Sequence, residues 1–186
     1  MSNLLSEIDA LAGAQRAATF RFAAEFILAN PGLIIETGCF RGEPGDGQST
    51  LIFGKLSKEI FEEFHSFEMD AKHIELAKEL MVQHAIDSVQ FHDGDSVTNL
   101  SNFRPSIRFA YFDSYDYVES DPGPCQRHQL AEVGAAYGKF TAPCAILLDD
   151  NIPITGGKPL LAAKFLEDRG WQKIGDGYQL LYVLKS

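Results

Sequence analysis

Apolar side chains recur at spacings of three and four over the first thirty residues, which is the period of an amphipathic helix. The apolar stripe consists of Leu4, Ile8, Leu11, Ala14, Ala18, Phe22 and Phe26. Asn30-Pro31-Gly32 follows, and proline and glycine are typical helix stops. The pattern predicts an N-terminal helical arm over residues 1–30 that precedes the first strand.

Beyond residue 30 the pattern changes to short apolar runs bounded by turn residues, which is typical of strands buried on both faces. The runs lie at 33–35, 64–67, 89–92, 107–112 and 145–148, and helical patterns follow Ser49-Thr50 and Asp70 and occupy 126–137 and 160–166. We expect Ser49 or Thr50 to cap the helix after the first strand, and Asp70 to cap the helix after the second strand. Two β runs, 171–174 and 178–184, surround Gly175-Asp176-Gly177 and predict a terminal hairpin.

Strands that alternate with helices indicate a mostly parallel sheet covered on both faces. The expected fold is α/β: a Rossmann-like, doubly wound sheet of seven strands, with a C-terminal antiparallel hairpin and the added N-terminal helix. Residues 31–186 form the expected main domain.

Composition and charge exclude several classes of partner. The chain carries 16 Lys+Arg against 26 Asp+Glu, a net charge of -10, and its basic residues are scattered, so we expect no nucleic acid as partner. An apolar content of 45% with 23% charged residues is that of a globular protein. The sequence shows no membrane span and no signal peptide. Three cysteines without C-x-x-C spacing argue against disulfides and a zinc site, so a reducing cytoplasm is the expected compartment.

An acidic residue follows every strand of the predicted parallel sheet. The series is Glu36, Glu68, Asp93 with Asp95, Asp113, and Asp149 with Asp150. Carboxylates are costly near a buried sheet, and ligands of open α/β sheets bind at the carboxyl ends of the strands. The series therefore predicts a binding or catalytic site at this edge.

The loop from Gly38 to Gly47 lets the backbone approach a ligand closely at Gly38 and Gly42. About thirty residues after Gly38, Glu68 can accept hydrogen bonds from the two hydroxyls of a ribose. The alternative for Glu68 is a solvated turn residue or a helix cap. The loop lacks the P-loop pattern and a clean G-x-G-x-x-G, and no Tyr-x-x-x-Lys pair supports a nicotinamide oxidoreductase.

The order of these motifs resembles that of a known family. Glu36-Thr-Gly-x-x-x-Gly, Glu68-Met-Asp, Asp93-Gly-Asp-Ser, Phe112-Asp113 and Leu148-Asp149-Asp150-Asn151 follow one another. Over roughly residues 30 to 186 the chain resembles class I S-adenosylmethionine-dependent methyltransferases, and within them the metal-dependent small-molecule O-methyltransferases of the catechol and macrocin types. The resemblance implies S-adenosylmethionine as cofactor and a small molecule as acceptor. The cofactor residues that it implies are Glu36, Thr37, Gly38, Cys39, Gly42, Ser49, Glu68, Met69, Gly94, Asp95, Ser96 and Asp113.

The same resemblance implies a divalent cation, Mg²⁺, after the fourth and fifth strands. Asp113, Asp150 and Asn151 match the catechol pattern, whereas Asp113, Asp149 and Asp150 match the macrocin pattern. Asp116 matches the macrocin-type base, and His128 is a second candidate base. Two departures are visible: the first loop carries extra residues, 43–47, and Asp116 stands where catechol-type enzymes carry a lysine. Without a metal, Asp149 and Asn151 would be turn residues.

Two further alternatives remain open at this point. A non-catalytic domain that binds the same cofactor, or a nucleoside, would carry the same motifs without turnover. The N-terminal helix either covers the substrate side of the sheet or packs on a second subunit, and we expect a homodimer.

Overall fold

The computed structural model describes residues 2–42 and 48–185, with a seven-stranded sheet at the centre. The strands are β1 (Ile34–Thr37), β2 (Phe64–Glu68), β3 (Val89–Asp93), β4 (Ile107–Phe112), β5 (Phe140–Leu148), β6 (Gln172–Asp176) and β7 (Leu180–Leu184). Their order is β3-β2-β1-β4-β5-β7-β6. The first five strands pair in parallel, and β7 is antiparallel to both β5 and β6. The predicted α/β fold with its C-terminal hairpin is confirmed.

Helices cover both faces of the sheet. They are α1 (Ser2–Ala29), α2 (Ser49–Ile60), α3 (Ala71–Gln83), α4 (Ser96–Asn102), α5 (Gly123–Ala136) and α6 (Leu160–Glu167), and a single 3₁₀ turn, Tyr137–Lys139, follows α5. Successive residues of a strand point to opposite faces. Ile34 accordingly packs with α1 and α2, whereas Ile35 packs with α4, α5 and α6. The short helix α4 had no counterpart in the sequence pattern.

A kink at Gly13 divides α1 and changes which of its side chains face the sheet. Gly13 has φ 68° and ψ 162°, outside the helical region. Before the kink Ile8 is buried as predicted, but after it the buried residues are Phe20, Ala23, Ala24 and Ile27, and Ala14, Ala18 and Phe22 are exposed. The predicted stripe is thus wrong at these three positions, because the non-helical residue shifts the helical phase, whereas Phe26 is half-buried and packs on the core. The resulting face packs on Phe53, Phe109 and Tyr111, so α1 covers the sheet.

The two predicted helix caps have different outcomes. The Asp70 cap is confirmed, since its Oδ1 accepts a hydrogen bond from the Lys72 amide at 2.8 Å. The cap by Ser49 or Thr50 is wrong: Gln48 precedes α2 in a left-handed conformation and makes no side-chain cap. Both hydroxyls instead donate to the buried carboxylate of Glu36, which competes for them more strongly than a helix end.

Three further sequence expectations concern disulfides, membrane spans and the long first loop. Cys39, Cys125 and Cys144 are all buried, and no disulfide joins them within the described residues. Among the described residues, every helix is too short or too polar to cross a bilayer. The extra loop residues 43–47 lie outside the part of the chain that the structure describes.

The kink of α1 leads to a testable difference between two phenylalanines of one helix. The Phe20 ring lies 5.6 Å from the rings of both Phe53 and Tyr111, whereas Phe22 is 40% exposed. We expect Phe20→Ala to lower the free energy of unfolding by about 3–5 kcal/mol. The matched control Phe22→Ala should cost less than about 1 kcal/mol. Urea unfolding of both variants measures this, and the opposite ranking would mean that the helix continues in one phase through Gly13.

Candidate active site

The carboxyl ends of β1 and β4 approach each other closely at Gly38. Gly38 has φ 78°, and a Cβ placed on it would lie 2.6 Å from the carbonyl oxygen of Asp113. Only glycine fits such a position without displacing backbone. The strand order reverses between β1 and β4, so this crevice is the point where open α/β sheets bind ligands.

Glu36 supports the crevice from inside the protein. Its side chain is fully buried and accepts hydrogen bonds from the hydroxyls of Ser49 at 3.0 Å, Thr50 at 2.7 Å and Ser66 at 2.7 Å. These contacts join the start of α2 and strand β2 to β1. Glu36 therefore positions the loop after β1. Thr37 is also fully buried, and neither residue lines a described cavity of the site.

Glu68 faces the crevice from the end of β2. Its Oε1 accepts hydrogen bonds from the amides of Met69 and Asp70, both at 2.8 Å, and its Oε2 accepts one from the amide of Cys39 at 3.2 Å. An ionised carboxylate offers about four acceptor positions. The three amides fix its orientation and leave Oε2 able to accept a further hydrogen bond.

Two adjoining cavities meet at Glu68. The first, called here the sheet-end cavity, has a volume of about 160 Å³, and the second, the aromatic cavity, has about 240 Å³. The sheet-end cavity is lined by Gly38, Cys39, Arg41, Ser49, Glu68, Met69, Asp70, His73, Asp113, Ser114 and Asp116. The aromatic cavity is lined by Phe67, Glu68, Met69, Gly94, Asp95, Ser96, Ser114, Tyr115 and His128. Most of the predicted cofactor residues therefore surround one continuous depression; Gly42 lines neither cavity.

Three carboxylates lie beside the sheet-end cavity and share two cations. Lys158 Nζ lies 2.6 Å from Asp113 Oδ1 and 2.9 Å from Asp150 Oδ2. The Arg16 guanidinium, from α1, donates to both oxygens of Asp149 at 2.9–3.2 Å. Each buried charge in this cluster thus has an opposite charge in contact.

The pKa values of the cluster follow from burial and these contacts. Burial opposes ionisation of Asp149, but Arg16 outweighs it and holds the pKa of Asp149 below the usual value. Burial and the neighbouring charge of Asp149 raise the pKa of Asp113 well above that of an ordinary aspartate, although Lys158 opposes the shift. Burial opposes the charge of Lys158, yet Asp113 and Asp150 raise its pKa. Of Asp113 and Asp149, Asp113 is therefore the better able to take up a proton.

The residues predicted to bind a divalent cation at this point have other partners in the structure. Lys158 occupies the place between Asp113 and Asp150, and Asp149 is bound by Arg16 and by the hydroxyl of Tyr111 at 2.8 Å. Asn151 turns away, since its side-chain amide donates to the carbonyl of Gly177 at 2.8 Å. Among residues 2–42 and 48–185 no group of three or more His, Cys, Asp and Glu side chains could hold a metal ion. The four predicted ligands do not fit Mg²⁺ in this arrangement.

Sequence reasoning missed Arg16 and Lys158, the two cations of the cluster. Arg16 lies 133 positions from Asp149, and Lys158 lies 45 positions from Asp113, so no local pattern connects them. The available signal for Lys158 was Gly156-Gly157 before it, because such a pair permits a loop to fold back. For Arg16, the one available signal was a charged residue within the apolar pattern of the N-terminal helix.

The two predicted bases lie in different parts of the site. Asp116 is at the mouth of the sheet-end cavity, mostly exposed, and contacts Arg41 at 2.8 Å. His128 borders the aromatic cavity, where its hydrogen bond to Glu132 raises its pKa above that of an ordinary histidine. Their catalytic roles stay predictions.

The pair of Arg16 and Asp149 yields a prediction on stability. Arg16→Met would leave a fully buried carboxylate without its cation, and we expect it to lower the free energy of unfolding by about 3–5 kcal/mol. The double variant Arg16→Met/Asp149→Asn should recover a large part of this loss. Arg21→Met is the matched control, because Arg21 pairs with Asp9 at the surface and such pairs contribute at most about 1 kcal/mol. Equal losses in the two single variants, measured by urea unfolding, would contradict a buried pair.

Comparisons with known proteins identify solved structures that share the fold of this chain. No family model and no curated protein matches the sequence. Among solved structures, the SAH-bound methyltransferase PaMTH1 of Podospora anserina superposes with a TM-score of 0.68 at 16% identity, over 98% of this chain and 88% of that one. The O-methyltransferase NovP superposes with a TM-score of 0.70 at 12% identity, over 92% of this chain and 80% of that one.

The same fold is also found in a methyltransferase that is named for a different acceptor, ribosomal RNA. An rRNA methylase of Streptococcus thermophilus superposes with a TM-score of 0.60 at 10% identity, over 93% of this chain and 98% of that one. Identities this low establish a common fold and leave the acceptor open. The chain has the fold of these methyltransferases, as the order of its strand-end motifs implied.

Proposed function

We propose that this protein is an S-adenosylmethionine-dependent methyltransferase that methylates a hydroxyl group of a small molecule. The observation that carries the proposal is the Glu68 carboxylate, fixed by three backbone amides where two cavities meet at the switch point of the sheet. A carboxylate in this position suits the hydroxyls of a ribose. The SAH-bound PaMTH1 and the O-methyltransferase NovP, which share the fold, support it.

The two cavities suit the two ends of such a cofactor. With the ribose on Glu68, the aromatic cavity, which contains Phe67 and Tyr115, suits a purine ring. The sheet-end cavity, beside Gly38 and Asp113, is then left for the amino-acid end and the acceptor. When bound, the cofactor supplies an activated methyl group on a positively charged sulfur.

The remaining chemistry is the removal of a proton from the acceptor hydroxyl. Asp113 lies on the cavity wall, and burial and the charge of Asp149 raise its pKa, which makes it a stronger base than an ordinary aspartate. Lys158, in contact with Asp113 Oδ1, acts as a positioning residue. Asp116, at the mouth of the same cavity, is the alternative base.

The charge of the protein favours a small acceptor over a nucleic acid. A net charge of -10 and acidic residues around the cavity repel a phosphate backbone. The homodimer stays a prediction without further support, because the apolar face of α1 that suggested it packs on the sheet.

The cofactor proposal predicts the effect of an isosteric change at Glu68. We expect Glu68→Gln to weaken the binding of S-adenosylhomocysteine by about 1.5–3 kcal/mol, since hydrogen bonds to a charged acceptor are lost. Glu75→Gln, on the exposed surface of α3, is the control and should leave the affinity unchanged. Calorimetry measures both, with NAD as a ligand that should not bind. Unchanged affinity in Glu68→Gln would remove the carboxylate from the ribose site.

The arrangement of Lys158 predicts how the protein responds to magnesium. MgCl₂ at millimolar concentration should leave the melting temperature of the wild-type protein unchanged, because Asp113 and Asp150 already contact an ammonium group. Lys158→Ala removes the cation that lies between these two carboxylates and leaves Asp150 with a longer contact to a cation, Arg16 at 3.9 Å, so we expect added Mg²⁺ to raise its melting temperature by at least about 2 °C. Lys78→Ala, at an exposed ion pair, is the control. A saturable rise in the melting temperature of the wild-type protein would mean that it binds Mg²⁺ and would contradict this expectation.

A further inference from the structure

A buried carboxylate lies behind the wall of the aromatic cavity. Glu132 of α5 is 1% exposed, and its Oε1 accepts hydrogen bonds from the hydroxyls of Ser96 and Ser114, each at 2.5 Å. His128, one helical turn earlier, places its Nε2 3.4 Å from the same oxygen. The other oxygen, Oε2, has no hydrogen-bond partner in the part of the chain that the structure describes.

The direction of these hydrogen bonds is fixed by chemistry. An ionised carboxylate only accepts, and a serine hydroxyl has a single proton to donate. Ser96 and Ser114 both give that proton to Glu132. Each hydroxyl therefore has only lone pairs left for a molecule in the aromatic cavity, which both serines line, and His128 Nε2 lies 3.3 Å from one of them, the Ser96 hydroxyl.

A third side chain of the same wall also presents an acceptor. Asp95 lines the aromatic cavity, and hydrogen bonds from Thr98 lower its pKa and keep it ionised. Its Oδ2 accepts from the amide of Thr98 at 2.7 Å and from the hydroxyl of Thr98 at 2.6 Å, so Oδ1 is the oxygen outside these two bonds. The wall thus carries hydrogen-bond acceptors at Asp95, Ser96 and Ser114.

A wall of acceptors distinguishes between purines. A 6-amino purine such as adenine presents an N–H donor at position 6, whereas a 6-oxo purine presents an acceptor there and would face the lone pairs of the serines. We propose that Glu132 is a positioning residue that turns the hydroxyls of Ser96 and Ser114 away from the cavity, and thereby makes the site select a 6-amino over a 6-oxo purine. The proposal rests on the proposed function, in which the aromatic cavity holds the base of the cofactor.

The competing explanation is that Glu132 only joins α4, the end of β4 and α5. A purely structural residue would change the affinity for all ligands of the cavity in the same proportion. A residue that sets the direction of two hydroxyls changes the ratio between two ligands that differ at position 6. The ratio is therefore the quantity to measure.

Calorimetry with two ligands tests the proposal. The probes are S-adenosylhomocysteine and S-inosylhomocysteine, which differ in the amino or oxo group at position 6. We expect the wild-type protein to bind the adenosine compound at least about tenfold more tightly, since an unmatched polar group in a closed site weakens binding by this order. In Glu132→Met the acceptor oxygen is absent, so the hydroxyls of Ser96 and Ser114 can turn and donate into the cavity, and the preference should fall to about threefold or less.

Two variants complete the experiment. Glu167→Met is the control, because Glu167 also accepts a hydroxyl hydrogen bond, from Tyr182 at 2.8 Å, and lines neither cavity of the site. It should keep the wild-type preference. Ser114→Ala carries the same test if Glu132→Met does not fold, because it removes one acceptor from the wall, and it too should lower the preference.

The outcomes separate this proposal from the proposed function. Equal binding of the two compounds by the wild-type protein, or a parallel loss of both affinities in Glu132→Met, overturns the role of Glu132 and leaves the methyltransferase proposal standing. A wild-type protein that binds neither compound overturns both.

Discussion

Asp149 is fully buried at the carboxyl end of β5, and an unpaired carboxylate there would cost several kcal/mol, so its partner constrains the fold. The partner is Arg16 of α1, from the opposite end of the chain. To bring Arg16 to this point α1 must lie along the sheet, and the kink at Gly13 gives the helix the phase that buries Phe20 beside the strands. One ion pair thus links the N-terminal helix to the ends of the central strands.

Lys158 supplies the cation for the neighbouring carboxylates, Asp113 and Asp150. The backbone of the loop that carries it folds so that it reaches them. Asp150 has φ 56°, in the left-handed region, and its carbonyl accepts a hydrogen bond from the Lys158 amide at 3.1 Å. At Gly157 a Cβ would lie 1.8 Å from the Asp150 carbonyl oxygen, so a side chain there would prevent the loop from folding back. The loop between β5 and α6 therefore folds back and places the ammonium group of Lys158 beside the carboxyl end of β5.

The sequence predicted the parts of the fold that depend on local pattern. The strands β1 to β5 and the terminal hairpin were found because their apolar runs are bounded by turn residues, and Asp70 was found as a cap because its bond is local. Gly13 could not be distinguished from a tolerated helical glycine, so Ala14, Ala18 and Phe22 were wrongly assigned to the buried face. Ser49 has the chemistry of a cap, and only the tertiary structure shows Glu36 as its partner.

In the site, as in the fold, the sequence shows the residue types but not how distant residues are arranged in space. The row of strand-end acids was visible in the sequence, but the cations that separate its members come from distant positions, so the row resembled a metal site. Arg16 and Lys158 neutralise the inner acids, whereas Glu68, Asp70 and Asp116 remain at the sheet-end cavity with Arg41 and His73. A negative potential attracts cations, and the net charge of -10 adds to it. The proposed cofactor carries a positive sulfur that its product lacks, so the same field favours entry of the methyl donor and release of the demethylated product.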